Sequence, residues 1–429
     1  MYTLLILADD LTGALDTGVQ AAKKGLPVRV FFSPEAAEES AGGEDGAGSR
    51  GGAQAVLVIN TASRHIPPSE AAAITASCLR RHGDIPFVYK KTDSALRGNI
   101  GAELDALIHE RGGPLPFVPA WPAMGRTTAE GRQFLRGVPV DKTELARDEL
   151  NPVRRSFIPD IIAEQSAVPV ICAGRASRAR HAELFRRESP PEPDRRVIVF
   201  DGESDGDLSD AAALLAGENM TGASAGCAGF AGALMEVLPF PPHAGPFDPA
   251  GDFPGPRPLL VVCGSRHPVS RAQIRAAQKD RVPCTAVNTG RLVGGSGAEA
   301  AASRCAEFLR REKICILGTE ASLGTAETSG GTAGETAALL GKLVKHITKK
   351  TGPLHLAVFG GDVLLGIMEA LEYEYLVPLE EIESGVAVSL AKGPSRSAHV
   401  AAKAGAFGGE NLIQKIRGYF TSRENPRKS

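Results

Sequence analysis

The chain is poor in large aromatics, with one Trp and five Tyr among 429 residues. That argues against a stacking platform for single-stranded nucleic acid. It has no excess charge of either sign, its formal net charge being −2, so neither a nucleic-acid surface nor an anionic-membrane surface is expected. No apolar run approaches the roughly 18 residues that a membrane span needs. The first apolar stretch is too short for a secretion signal and has no basic region before it. The seven cysteines are odd in number and scattered, with no CxxC pair. Reduced thiols in a cytoplasmic protein are expected, and no zinc site. There is no P-loop, and no GxGxxG follows the first strand. Without that fingerprint and an acidic ribose reader, a Rossmann-type dehydrogenase is disfavoured.

What is present is globular in character, 43% hydrophobic and 23% charged. The length suits about two domains. Pro239–Pro258 holds eight prolines and three glycines without periodicity and reads as a linker. It divides the chain into domains 1–238 and 259–429. Ala36–Gly52, rich in Ala, Gly and Glu, reads as a surface loop.

Strand-like runs are Tyr2–Leu7, Val28–Phe32, Ala55–Ile59, Phe87–Lys90, Leu115–Val118, Val168–Cys172 and Val197–Phe200, then Leu259–Cys263, Cys284–Val287, Lys313–Leu317 and Leu354–Val358. Helical patterns fall between them, at Thr12–Lys24, Ser69–Arg81, Ala102–Arg111, Ser270–Lys279, Ala298–Arg311, Gly334–Thr348 and Val363–Leu371. This alternation predicts an α/β protein of two domains, each a mainly parallel sheet covered by helices. The cleft between the domains is the expected active site.

The first strand stops at Asp9-Asp10, followed by Leu11-Thr12-Gly13 and, further on, Asp16. In open α/β sheets ligands bind at the carboxyl ends of strands. Asp9, Asp10, Thr12 and Asp16 at that edge are therefore candidates for a general base, with Asp9 and Asp10 foremost, a metal ligand and hydroxyl-reading acceptors, Asp16 among them; the alternative is that one Asp caps the helix and the other is solvated. Lys91, Asp93, Ser94, Arg97 and Asn99 crowd the connection after Phe87–Lys90. An Arg fork suits a carboxylate, while Asp and Asn read hydroxyls. Arg64, after Ala55–Ile59, is a candidate second anion contact, and Arg126, in the donor-rich stretch Trp121–Thr128, a candidate further substrate contact. Gly137–Val140 and Thr143–Pro152 read as a long loop.

The second domain carries three glycine turns at strand ends: Val262–Ser265, Phe359–Val363 and Lys403–Gly409. Singly each suits a helix start; three together point to a nucleotide phosphate site, since glycines let backbone amides approach phosphate oxygens. Lys403 is a candidate phosphate contact.

The chain resembles the four-carbon acid sugar kinases, a two-domain family once known as a domain of unknown function. The resemblance rests on ADDLTGALDT (Ala8–Thr17), KTDSALRGNIGAE (Lys91–Glu103), PAWPAMGRTTAEG (Pro119–Gly131), GVPVDKTELARDELNP (Gly137–Pro152), GSRHPVSRAQ (Gly264–Gln273), GGDV (Gly360–Val363) and KAGAFG (Lys403–Gly408). It implies an N-terminal domain for threonate, erythronate or a 3-oxo-tetronate and a C-terminal domain for ATP. The terminal hydroxyl would be phosphorylated with Mg²⁺ present, and no particular metal ligand is implied. Nucleotide contacts would fall on Ser265, Gly360, Gly361, Asp362, Val363 and Gly405 or Gly408. Substrate contacts would fall on Asp9 or Asp10, Arg64, Lys91, Asp93 and Arg97. Val363 stands where the family usually has Thr, Ala404 and Ala406 where Ser and Gly are expected, and Ala95 where Thr is common. These departures motivate an alternative: a catalytically impaired member that senses a sugar acid or nucleotide. Small-molecule partners are expected, with no nucleic acid and no membrane, and a homodimer is left open.

Overall fold

The computed structural model describes residues 2–42, 55–148, 150–185, 194–240, 256–289, 296–325 and 332–424. Most of the Pro-rich stretch 239–258, and of 36–52 the part from 43 on, lie outside the described residues. The chain divides into two compact units, Met1–Pro246 and Phe247–Ser429. Each is an α/β layer structure, a mainly parallel sheet flanked by helices.

The first unit contains β1 (Leu4–Ala8), β2 (Val28–Phe31), β3 (Val56–Asn60), β4 (Phe87–Lys91), β5 (Leu115–Val118), β6 (Arg126–Ala129), β7 (Arg132–Leu135), β8 (Val138–Pro139), β9 (Val170–Ala173), β10 (Val197–Phe200) and β11 (Ala223–Gly226). Its main sheet runs β2-β3-β1-β4-β11-β5-β10-β9, parallel throughout. Helices cover both faces of a parallel sheet, so its strands are continuous apolar runs: Leu-Leu-Ile-Leu-Ala of β1 is buried at every position. The chain moves to one side of β1 for β2 and β3, then crosses to the other side for β4. The carboxyl ends of β1 and β4 therefore flank a topological switch point, where the connections diverge and leave a crevice.

The second unit contains β12 (Leu259–Cys263), β13 (Cys284–Val287), β14 (Ile314–Thr319), β15 (His355–Phe359), β16 (Tyr375–Glu383), β17 (Val386–Gly393) and β18 (Arg396–Lys403). The order is β13-β14-β12-β15-β18-β17-β16. The first five strands are parallel, and β18, β17 and β16 form an antiparallel meander. Its core packs Val261, Ile316, Phe359, Val388 and Ala401 of the sheet against Ile274, Ile413 and Phe420 of two helices.

Several elements depart from expectation. Between β5 and the helix Ile158–Ala163, where no strand was expected, β6, β7 and β8 (the last in the stretch read as a long loop) form an antiparallel ribbon. Its first turn is Glu130-Gly131, both with positive φ (49° and 69°), as a two-residue hairpin turn requires. β11 reads Ala-Ser-Ala-Gly, with no β-branched or aromatic residue to mark a strand. Part of the expected surface loop is the helix Pro34–Gly42, and Ile158–Ala163, Asp205–Gly217 and Ala228–Val237 are further helices. No described helix is long and apolar enough to cross a membrane.

Candidate active site

β1 ends at Ala8, and its next two residues carry the acids. Asp10 has extended backbone (φ −146°) and caps the helix Leu11–Lys23, its Oδ1 accepting from the Gly13 amide at 2.9 Å. Its Oδ2 accepts from Thr12 Oγ1 at 2.5 Å. Asp10 thus fulfils the capping reading of the pair. Its side chain is 21% exposed against 3% for Asp9.

Arg64 follows β3 and lies across both acids. Its Nε donates to Asp9 Oδ2 at 2.7 Å, Nη1 donates to Asp10 Oδ2 at 2.9 Å, and Nη2 lies 2.7 Å from Asp10 Oδ1. Asp93, after β4, is 3.8 Å from the same guanidinium. Arg97 forks onto Asp93, Nε to Oδ2 at 2.9 Å and Nη2 to Oδ1 at 3.0 Å, and reaches Asp148 Oδ2 at 3.2 Å with Nη1. The result is one lattice of alternating charge, Asp9/Asp10–Arg64–Asp93–Arg97–Asp148, across the strand ends.

Electrostatics follow from that geometry. Burial alone would raise the Asp10 carboxyl, but Arg64, Lys91 and the bonds from Thr12 and Gly13 outweigh it and hold it below the ordinary range. Burial opposes ionisation at Asp93 too, yet Arg97 and Arg64 hold its carboxyl far below the usual value. Burial works against the Arg64 cation, and Asp10, Asp9 and Asp93 more than restore it.

Lys91 is buried on β4, its ammonium donating to Thr92 O at 2.8 Å. Among the described residues it makes no direct ion pair. A Cβ on Gly13 would stand 2.7 Å from both Lys91 Nζ and Asp10 Oδ1, so only glycine there admits the cation and the acid together. Lys90 points to the opposite face of the strand and pairs with buried Glu103 at 3.0 Å.

Other expected substrate contacts sit differently. Asn99 spends its amide hydrogens on Ser63 O (2.7 Å) and Ile66 O (2.8 Å). Through these bonds it holds the Arg64 loop in place. Ser94 is half-buried, and its carbonyl accepts from Gln133. Asp16 is buried on the second turn of its helix. Arg126 opens β6, donates to Met124 O, and is held below the ordinary guanidinium range by burial. Asp148 and Glu103 were not expected to join this charge network, because spacing alone does not show which strand end a loop returns to.

In the second unit β12, β15 and β18 are neighbours and parallel, so their three glycine turns share one sheet edge. Gly264, Ser265, Arg266, Ala333, Thr336, Gly360, Asp362 and Val363 line a cleft of about 290 Å³ there. Gly360 has φ +123°, a conformation side-chain-bearing residues rarely adopt, and precedes the helix Gly361–Ala370, whose start has no side-chain cap. An open helix N-terminus with no Cβ in front of it suits a phosphate. Val363 is buried beneath the cleft, its Cγ2 against Gly264. Gly405 stands beside Ser265, and Gly408 (φ +82°) turns the chain toward the last helix, Leu412–Glu424. Arg266, Ala333 and Thr336 were not anticipated; the helix Ala333–Thr351 gave no sign of reaching this edge.

Lys403 corrects an expectation. It is 1% exposed, and its ammonium donates to Ser270 Oγ, Gly405 O and Phe407 O, each at 3.0 Å. Burial lowers it to about 8. An ammonium has three hydrogens; these three acceptors match them, and Lys403 is not among the residues lining the cleft.

One α/β unit thus carries a lattice of charged side chains at its strand ends, and the other a glycine-walled cleft beside a helix start. Comparison with known proteins agrees. Residues 4–235 match the sugar-binding N-terminal domain and residues 260–413 the nucleotide-binding C-terminal domain. The chain belongs to the four-carbon acid sugar kinase family. It is 29% identical to the D-threonate kinase of Salmonella typhimurium, with 96% of each chain covered. It is 31% identical to the D-erythronate kinase of Heliobacterium modesticaldum over 66% of this chain and 62% of that one. In fold it is similar to Haemophilus influenzae protein HI1011, with a TM-score of 0.69, 19% identity, and 97% and 100% of the two chains covered.

Proposed function

We propose that the protein is an ATP-dependent kinase that phosphorylates the terminal hydroxyl of a four-carbon sugar acid of the threonate, erythronate or 3-oxo-tetronate type. The observation that carries this reading is the charge lattice at the β1/β4 switch point. It offers carboxylates for hydroxyls and, in Lys91, a cation with no direct ion pair among the described residues for an anionic substrate.

Asp10 is the acid that meets the attacking hydroxyl. It stays ionised and accepts or orients the hydroxyl's hydrogen, while Asp9 anchors Arg64 from below. A phosphoryl transfer through a loose transition state asks mainly for positioning and charge neutralisation, which suits an acid held this low. The cleft in the second unit takes the nucleotide, with the amides behind Gly360 and Gly361 toward its phosphates and Ser265 and Thr336 beside them. ATP bound with Mg²⁺ supplies the phosphoryl group, and Asp362, exposed at the rim of the cleft, would be the protein's carboxylate nearest the metal. Val363 keeps the β-branched shape of Thr under Gly264, so the packing of the cleft survives that departure.

The test is ADP release from ATP and Mg²⁺ across the stereoisomers of threonate and erythronate and the 3-oxo-tetronates. One acid should be turned over in strong preference to the rest. Binding of an acid with no ADP release at any concentration would reject the kinase and leave a sensor.

A further inference from the structure

The Lys403–Gly409 loop is held by its carbonyls. Lys403 Nζ takes Gly405 O and Phe407 O. Ser270 Oγ donates to Gly405 O at 3.0 Å. Gln273 Nε2 lies at 3.0, 2.9 and 3.0 Å from Phe407 O, Gly408 O and Gly409 O. Ser270 and Gln273 stand one turn apart on the helix Pro268–Lys279, both fully buried. Burying an ammonium is costly unless it is fully bonded; here three acceptors and the Phe359 ring, 4.7 Å away, offset the cost. On its other side the loop touches the cleft, where a Cβ on Gly405 would stand 2.8 Å from Ser265 Oγ.

We propose that Lys403, Ser270 and Gln273 form a positioning cage that sets the Gly405–Gly409 loop against Ser265, so that the nucleotide's phosphates meet a preformed wall. The inference rests on the nucleotide reading of this cleft. Lys403 acts through the loop and does not touch phosphate. The GSRHPVSRAQ and KAGAFG segments are then two halves of one device: Gln273 closes the first because it receives the carbonyls of the second.

The experiment compares Ser270→Ala, Gln273→Leu and Lys403→Met in the full chain. It measures binding of a non-hydrolysable ATP analogue, binding of the sugar acid, and hydrogen exchange of the 404–410 amides without nucleotide. Each variant should weaken analogue binding about tenfold or more, the scale of a lost buried hydrogen bond. Each should speed exchange in that loop, and acid binding should not change. The two uncharged positions are decisive. If Lys403→Met weakens analogue binding while Ser270→Ala and Gln273→Leu match the parent, Lys403 is a phosphate contact and the cage is refuted. Should Lys403→Met fail to fold, the other two variants still decide. If the unsubstituted chain binds no analogue, the nucleotide reading fails, and the exchange data alone judge the cage.

Discussion

At the scale of single residues, the site separates charges that look alike in the sequence. Asp9 and Asp10 are adjacent acids, yet one is sealed beneath Arg64 and the other caps a helix at the crevice. Asn can still accept from the Gly13 amide, because Asn is as good a cap as Asp. Asp10→Asn should therefore lower turnover by roughly 10²–10⁴, the usual span for a positioned base, while keeping the cap. Asp10→Ala should lose the same turnover and a further ~1 kcal/mol of stability. Full turnover in Asp10→Asn would move the role elsewhere, with Asp93 next in line. The cations divide in the same way. Lys91→Met should weaken acid binding more than tenfold with a thermal midpoint near the parent's. Arg64→Met should cost stability first, since it strands Asp9 and Asp10 without their shared partner. Calorimetry of acid binding and thermal melts on both variants check this, and normal acid binding in Lys91→Met would exclude it as the anion contact.

At the scale of elements, the turn after β15 is the most exacting. Gly360 sits at φ +123°, so Gly360→Ala should strain the turn by roughly 1–3 kcal/mol. It should raise KM for ATP without altering KM for the acid. Unchanged ATP kinetics in a folded variant would remove this turn from the nucleotide site. The legibility of elements followed their chemistry. Strands buried on both faces, such as Leu4–Ala8 and Leu259–Cys263, announce themselves as apolar runs. β11 does not, because its Ala-Ser-Ala-Gly has no β-branched or aromatic residue, and at Gly226 an added Cβ would be 2.2 Å from Val118 O. The Asp205–Gly217 helix carried a readable start, the Ser204–Asp207 capping box. The acids and cations of the first site were legible because they follow strands at one sheet edge. Asp148, Glu103 and the commitment of Lys403 were not, since each depends on a partner far away in sequence.

At the scale of the whole molecule, stability should lean on the ionised lattice. Asp10, Asp93 and Asp148 are all held below the ordinary carboxylate range. Depressed folded-state values mean the unfolded chain binds protons first as pH falls. Their contribution is thus present above the ordinary value of 3.8 and is lost progressively below it. Urea unfolding from pH 5 to pH 2.5 should show a steep loss, flatter in Asp93→Asn; equal slopes would mean the lattice adds no net stability.

The sheet of the first unit also bears on how the chain is made. Ala223–Gly226 slots between β4 and β5, strands completed by Val118. During synthesis those two strands wait through about a hundred further residues with their inner edges unpaired, an open template for neighbouring nascent chains. A ribosome-stalled chain ending at Gly222 should be protease-sensitive and recruit a holding chaperone, whereas one stalled beyond residue 280 should not. The central strand is the last of its sheet to be made, so the first unit should depend on the cell's folding machinery until Gly226 has emerged.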